Sequence, residues 1–138
     1  MRYLAGLTRI QYVFYYPETR DIVVAGPAEG YMHDVSGRVV GITSGLGSIA
    51  DNTSGRHYGY RESKAALNMF TRSLAVELRD EGFTCIVIHP GWVKTDMGGS
   101  SAPVEVDDSA AGIRRVIDNL SPADNGSFRT FEGAQMPW

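Results

Sequence analysis

Tyr60 and Lys64 are the residues of this chain whose types and spacing are best suited to proton transfer. They lie four positions apart at the start of a predicted helix, so we expect their side chains on one face, about one turn apart. A free tyrosine is a poor acid or base at neutral pH because its pKa is about 10, and a nearby ammonium group favours the phenolate form. The pair therefore predicts a general acid or base, although the same spacing is also typical of a solvated pair on a surface helix.

Ser44 directly follows a short, nearly continuous apolar run at residues 38–43, the pattern of a strand that is covered on both faces in a parallel sheet. Open α/β sheets bind their ligands at the carboxyl ends of strands. A hydroxyl group there can donate a hydrogen bond to a substrate carbonyl oxygen as negative charge develops on it. Taken alone, Ser44 would be an ordinary turn serine. We do not interpret residues 45–47 as a phosphate loop, because no helix is predicted to begin directly after them.

A proline-glycine turn ends the next predicted strand, on the same edge of the sheet. Pro90 and Gly91 force the chain to turn and expose backbone that could hold a flat, polar ligand. A plain strand-ending turn is the alternative interpretation. Three polar elements in this order, all at strand ends, indicate a site more strongly than any one of them does.

The elements that must position these residues form a βαβ unit, in which a helix connects two parallel strands. The central helix is predicted from apolar residues that recur every three or four positions, and Gly82 ends it. The predicted order is strands at 10–16, 21–25 and 38–43, a helix at 58–80, a strand at 83–88, a helix at 106–120 and a strand at 127–131.

The composition fits a single globular domain, with 138 residues of which 43% are hydrophobic and 21% charged. A net charge of -3 gives no electrostatic reason to expect a nucleic-acid partner. Cys85 is the only cysteine, which excludes an intrachain disulfide and favours a reducing compartment, so we expect the protein in the cytoplasm. No apolar run approaches the ~20 residues of a membrane-spanning helix. His33, His57 and His89 show no metal-ligand spacing.

The combined pattern resembles the short-chain dehydrogenase/reductase family, and within it the carbonyl reductase-like subgroup of the C-factor and sniffer proteins. The resemblance covers residues 37–138. It rests on Ser44, on the YxxxK motif Tyr60-x-x-x-Lys64 and on Pro90-Gly91-x-Val93-x-Thr95.

The resemblance implies an NAD(P)-dependent oxidoreductase that transfers a hydride between nicotinamide and a small-molecule carbonyl or alcohol substrate. Tyr60 would be the general acid in carbonyl reduction and the base in alcohol oxidation. Lys64 would assist it and hydrogen-bond the nicotinamide ribose, while Ser44 would orient and polarise the substrate carbonyl. The cofactor, NADP or NAD, would be held by Tyr60, Lys64, Pro90, Gly91, Val93 and Thr95.

The implied fold is α/β, the C-terminal half of a Rossmann-type, doubly wound parallel sheet. We expect a non-matching segment at residues 1–36 and a catalytic half at 37–138. The family's cofactor site opens with a T-G-x-x-x-G-x-G loop, and the nearest candidate here is residues 22–32. Tyr31 and Met32 stand where that pattern has small or apolar residues, and too few residues precede the strand at 38–43 for the intervening βαβ units.

Two functions stay open at this point. One is an oxidoreductase of this family, with its activity either intact or impaired by the absence of the Gly-rich half. The other is a truncated, non-catalytic remnant that acts as an interaction or structural module. The family also implies a homo-oligomer through the helix that carries Tyr60. The sequence decides neither the substrate nor the choice between NAD and NADP.

Overall fold

The structure, a computed structural model, describes residues 12–16, 21–25 and 37–138. The interpretations placed on the rest of the N-terminal segment lie outside the described residues. They include His33 and, beyond Ala25, the candidate for the Gly-rich loop.

One five-stranded sheet, in the order β2-β1-β3-β4-β5, organises the described chain. Strands β3, β4 and β5 run parallel, which confirms the predicted parallel sheet. Strands β1 and β2 form an antiparallel hairpin that pairs antiparallel with β3, so the sheet as a whole is mixed. The connection between β1 and β2 is too short for the crossover that parallel strands need. The elements are β1 (Tyr12–Tyr16), β2 (Asp21–Ala25), β3 (Arg38–Ile42), α1 (Tyr58–Glu77), β4 (Thr84–His89), α2 (Val106–Asp118) and β5 (Phe128–Thr130).

Helices cover both faces of the parallel strands, which confirms the doubly wound architecture. On one face, residues of α1 such as Leu74 pack against Val39 and Cys85. On the other face, Ile117 of α2 packs with Ile86 and neighbouring side chains. This explains why the sequences of β3 and β4 are apolar without alternation: both of their faces are covered.

Glycine lets α1 approach β3 closely. A Cβ on Gly41 would lie 3.2 Å from Val87 Cγ1 and 3.3 Å from Thr71 Oγ1, tighter than ordinary van der Waals contact. The helix therefore lies directly on the strand and carries its first turns to the carboxyl edge of the sheet. At its other end, α1 gives way to a 3₁₀ turn that closes at Gly82, whose φ of 82° is left-handed, as the sequence predicted.

Within the described residues, no helix is both long and apolar enough to cross a membrane. The same part of the chain holds no cluster of three or more His, Cys, Asp or Glu side chains placed to bind a metal ion.

Candidate active site

Ser44 lies in a tight turn at the carboxyl end of β3. Residues 45–47 make a single 3₁₀ turn, and the Ser44 side chain caps it by accepting a hydrogen bond from the Leu46 amide at 3.1 Å. The Gly47 amide donates to the Ser44 carbonyl at 2.8 Å and closes the turn. The hydroxyl oxygen of Ser44 is thus used as an acceptor, and its proton can be donated to a ligand.

Tyr60 and Lys64 occupy the first turns of α1, and the structure brings them together. The Lys64 ammonium lies 5.8 Å from the centroid of the Tyr60 ring, within cation–π range. It also donates a hydrogen bond to the Ile42 carbonyl at 3.1 Å, which ties it to the strand that leads to Ser44. Burial lowers the pKa of Lys64 from its ordinary value, because partial desolvation disfavours the charged amine.

Gly47 is the point of contact between the Ser44 turn and α1. A Cβ at this position would lie 2.9 Å from Lys64 Cβ, closer than real Cβ atoms pack, and 3.1 Å from Asn68 Nδ2, a tight contact. The segment Gly45-Leu46-Gly47 is therefore a packing turn against the helix. No α-helix follows it directly, in line with the sequence interpretation that rejected a phosphate loop.

The proline-glycine turn lies at the end of the neighbouring strand. Ile42 is paired with Ile88, so Pro90 follows β4 at the level at which Ser44 follows β3. Gly91 has a φ of 88°, and a Cβ there would lie 3.0 Å from Phe131 Cε1, so both conformation and space require glycine.

Val93 and Thr95 belong to a loop that folds back on itself. Val93 forms an isolated parallel bridge with Val104, and the Lys94 amide donates to the Val104 carbonyl at 2.9 Å. The Thr95 hydroxyl oxygen accepts from the Gly98 amide at 3.1 Å and therefore braces its own turn. The structure places this loop after the proline-glycine turn, and both hydrogen bonds that it gives the Thr95 hydroxyl, to Val93 and from Gly98, stay within the loop.

Sequence reasoning missed two polar residues beside the Ser44 turn. Asn68 is buried on α1 and hydrogen-bonds both Thr43 and Gly47. Its position four residues after Lys64, among apolar residues of the buried face, was the signal available in the sequence. His89 ends β4. A Cβ added at Gly45 would lie 3.4 Å from the His89 ring, at van der Waals contact. Its buried Nδ1 has no hydrogen-bond partner among the described residues.

The described side chains fit the nicotinamide-ribose half of a dinucleotide in their donor chemistry. An ammonium group has three N–H donors, and the Lys64 ammonium uses one at Ile42, which leaves donors for a pair of ribose hydroxyls. The turn at Gly91 presents backbone at the same edge. A counterpart of the Gly-rich pyrophosphate loop is not present within residues 37–138.

A parallel sheet with helices on both faces and polar residues at its carboxyl edge places the chain in the Rossmann-like class of α/β proteins. The family model described as "short chain dehydrogenase" matches residues 23–105, and the chain belongs to that family of oxidoreductases.

The relatives include the C-signal protein of Myxococcus xanthus, which is 52% identical over 101 residues that cover 73% of this chain and 61% of that protein. Among solved structures, the carbonyl reductase Sniffer of D. melanogaster is 46% identical with a TM-score of 0.72, over 73% of this chain and 41% of that one. The NADPH-bound carbonyl reductase from chicken fatty liver is 45% identical with a TM-score of 0.69, over 73% of this chain and 42% of that one. The chain thus spans about half the length of these relatives.

Proposed function

We propose that this chain carries the catalytic half of an NAD(P)-dependent oxidoreductase that acts on a small-molecule carbonyl or alcohol, with residues 37–138 as that half and residues 1–36 as the segment before it. The observation that supports this most directly is the placement of the Lys64 ammonium, between the Ile42 carbonyl and the Tyr60 ring. Two similar structures are described as carbonyl reductases, one of them with NADPH bound. The single buried cysteine is consistent with a cytoplasmic protein.

Three side chains take part in the proton transfer, each in a different role. In carbonyl reduction, Tyr60 Oη gives its proton to the carbonyl oxygen of the substrate, and in alcohol oxidation it takes the hydroxyl proton back. Lys64 stabilises the phenolate that remains on Tyr60 after the transfer. Ser44 donates its hydroxyl hydrogen to the same substrate oxygen and stabilises the charge that develops there. A bound nicotinamide would supply or accept the hydride.

The cofactor would be held along the same edge of the sheet. Lys64 and Tyr60 would hydrogen-bond the nicotinamide ribose. The backbone of Val93 would meet the carboxamide group, with the turn at Pro90 and Gly91 shaping the space beside it. Thr95 would contribute after its hydroxyl leaves the hydrogen bonds of its own turn.

Coenzyme binding by the purified full chain tests the proposal. Isothermal titration calorimetry with NADPH and with NADH compares the parent with Lys64→Ala and with Arg114→Ala, which removes an exposed cation of α2. We expect micromolar binding that Lys64→Ala weakens about tenfold, the effect of losing one charge-assisted contact, and that Arg114→Ala leaves unchanged. Equal binding by the parent and Lys64→Ala would contradict the assigned site.

Turnover provides the second arm of the same experiment. With carbonyl substrates, Tyr60→Phe should lower kcat by about a hundredfold or more, because the proton donor is lost while the ring stays. Tyr58→Phe is the matched control, since Tyr58 lies two residues earlier on α1 and is 77% exposed, against 37% for Tyr60. Similar losses in both variants would remove Tyr60 from the mechanism.

A second candidate function is a non-catalytic module that binds another protein chain. The observation in its favour is a pair of exposed apolar side chains on one side of α1, Met69 and Val76. A dimer without coenzyme binding would support this candidate over the first.

A further inference from the structure

A buried hydrogen-bonded link joins β3, the Ser44 turn and α1. The Thr43 hydroxyl donates to Asn68 Oδ1 at 2.6 Å, and Asn68 Nδ2 donates to the Gly47 carbonyl at 3.2 Å. Thr43 is 2% exposed and Asn68 4% exposed, so water does not compete for these groups. The side-chain amide of Asn68 thus binds both Thr43, the residue before Ser44, and Gly47, the residue that closes the Ser44 turn.

We propose that Asn68 is a positioning residue that fixes Ser44 relative to Lys64 and Tyr60. The proposal rests on the proposed function for the roles of those three residues. Asn68 lies one helical turn after Lys64, on the same side of α1. It acts through the backbone on either side of Ser44 and touches neither substrate nor cofactor.

Packing at Gly47 determines the direction in which the turn can move. The turn cannot shift toward α1, because Gly47 already lies against Lys64 and Asn68. It can only move away from the helix, and the hydrogen bond from Asn68 Nδ2 to the Gly47 carbonyl opposes that movement. Contact on one side and a hydrogen bond on the other therefore hold the Ser44 turn in place against α1.

Asparagine suits this position because it offers one acceptor and one donor in a small volume. Thr43 requires the acceptor and Gly47 requires the donor. An ionised carboxylate of the same shape keeps the acceptor but turns the donor into a second acceptor, which repels the Gly47 carbonyl. In its ionised form, Asn68→Asp is therefore a nearly isosteric change that breaks only one of the two hydrogen bonds, so it is compared with the parent at a pH at which the new carboxyl is ionised.

The first test follows the turn itself and needs no enzymatic activity. Amide hydrogen exchange, measured by NMR, compares the Leu46 and Gly47 amides, which donate to Ser44, with the Leu78 amide at the far end of α1. We expect Asn68→Asp to accelerate exchange at Leu46 and Gly47 about tenfold, through selective local opening, with exchange at Leu78 unchanged. Asn119→Asp, the same change at an exposed asparagine of the α2 end, should alter none of the three.

Thr43 supplies a second pair of variants in case Asn68→Asp does not fold. Thr43→Val removes the hydroxyl but keeps the shape, whereas Thr43→Ser keeps the hydroxyl. Selective acceleration at Leu46 and Gly47 in Thr43→Val, and its rescue in Thr43→Ser, supports the link. Equal acceleration along the turn and α1 would show a purely structural role and overturn the proposal.

Kinetics then separate positioning from binding. If the parent reduces carbonyls, Asn68→Asp should lower kcat about tenfold while the dissociation constant for NADPH stays the same. The ratio of the kcat of the variant to that of the parent should rise as the pH falls, because a protonated carboxyl regains a donor for the Gly47 carbonyl. An unchanged kcat in a variant with a loosened turn would overturn the proposal. An inactive parent would instead count against the proposed function, and the exchange experiment would decide the role of Asn68 alone.

Discussion

His89 lies beneath the Ser44 turn and links the site to stability at acid pH. Burial lowers its pKa from the ordinary value of 6.5, because the charged imidazolium is poorly solvated there. As pH falls below 6.5, the unfolded chain takes up this proton before the folded chain does. The free energy of unfolding is therefore expected to fall as the pH drops through this range and toward the lowered pKa of the folded state.

Urea denaturation between about pH 5 and about pH 7.5 tests this expectation. His89→Asn should flatten the acid dependence of the free energy of unfolding. His57→Asn is the control, since His57 is exposed at the start of α1 with a φ of 52°, a conformation that asparagine tolerates. An equal change in slope for both variants would mean that His89 is not the group responsible.

The sequence predicted part of this residue-scale arrangement. The adjacency of Tyr60 and Lys64 follows from the four-residue spacing on a helix, which is a local rule. The partners of Asn68 are 25 and 21 positions away in the chain, so only the packed fold reveals them. The sequence also contained no sign that His89 Nδ1 lacks a hydrogen-bond partner among the described residues, because this depends on which turn covers the end of β4.

At the scale of elements, α2 and the residue that follows β5, Phe131, support the proline-glycine turn. The Ser109 hydroxyl of α2 donates to the Pro90 carbonyl at 2.7 Å. Gly112 lets α2 lie against the chain just after β5, because a Cβ there would be 2.6 Å from the carbonyl oxygen of Phe131. The same Phe131 ring limits the space at Gly91, so these contacts together support the proline-glycine turn.

Gly112→Ala should therefore destabilise the fold, although alanine is the better helix former. The intrinsic gain is about 1 kcal/mol. The clash is with a backbone oxygen that cannot rotate away, so we expect a net loss of about 1–3 kcal/mol in the free energy of unfolding.

Gly59→Ala in α1 is the matched control, because, apart from its chain neighbours and the local helix backbone, no described atom lies within 4 Å of the added Cβ. It should raise the free energy of unfolding by about 0.5–1 kcal/mol. Chemical denaturation of both variants measures the difference. A stabilised Gly112→Ala variant would show that α2 is free to move away from Phe131.

The strands and helices themselves were largely predictable because their signals are local. Apolar runs located β3 and β4, and helical periodicity located α1 and α2. The helix α1 ends at Glu77, before the predicted bound, and Gly82 closes the 3₁₀ turn that follows it. The antiparallel pairing of the N-terminal hairpin with β3 was not predicted. Strand pairing depends on which sheet edge is available, and the sequence of a single strand does not specify that.

At the scale of the whole molecule, α1 has two faces with different roles. Its inner face packs on the sheet and carries Asn68, while Met69 and Val76 on the outer face are 67% and 57% exposed. They are seven positions apart, two helical turns, and so form a short stripe on one side of the helix, interrupted by Arg72 and Ser73. Such a stripe on the helix that carries Tyr60 and Lys64 supports the proposal of a homo-oligomer through α1.

Met69→Asp tests the stripe as an interface between two copies of the chain. We expect the parent to sediment as a dimer at micromolar concentration and the variant as a monomer, because a carboxylate in a closely packed apolar contact loses its hydration. Val106→Asp is the control, since Val106 is 51% exposed at the start of α2, where a negative charge is tolerated. Analytical ultracentrifugation over a concentration series measures whether the parent and each variant are dimers or monomers.

A parent chain that stays monomeric throughout the series would refute the interface. A dimer that Met69→Asp and Val106→Asp disrupt equally would place the contact elsewhere. The experiments on function and on assembly also constrain each other, because the proposed catalytic pair, Tyr60 and Lys64, and the exposed stripe lie on the same helix, α1. If Met69→Asp yields a monomer that still binds NADPH with the parent's affinity, the nucleotide site is complete within one chain. If binding is lost together with the dimer, the second copy supplies part of what the described half lacks.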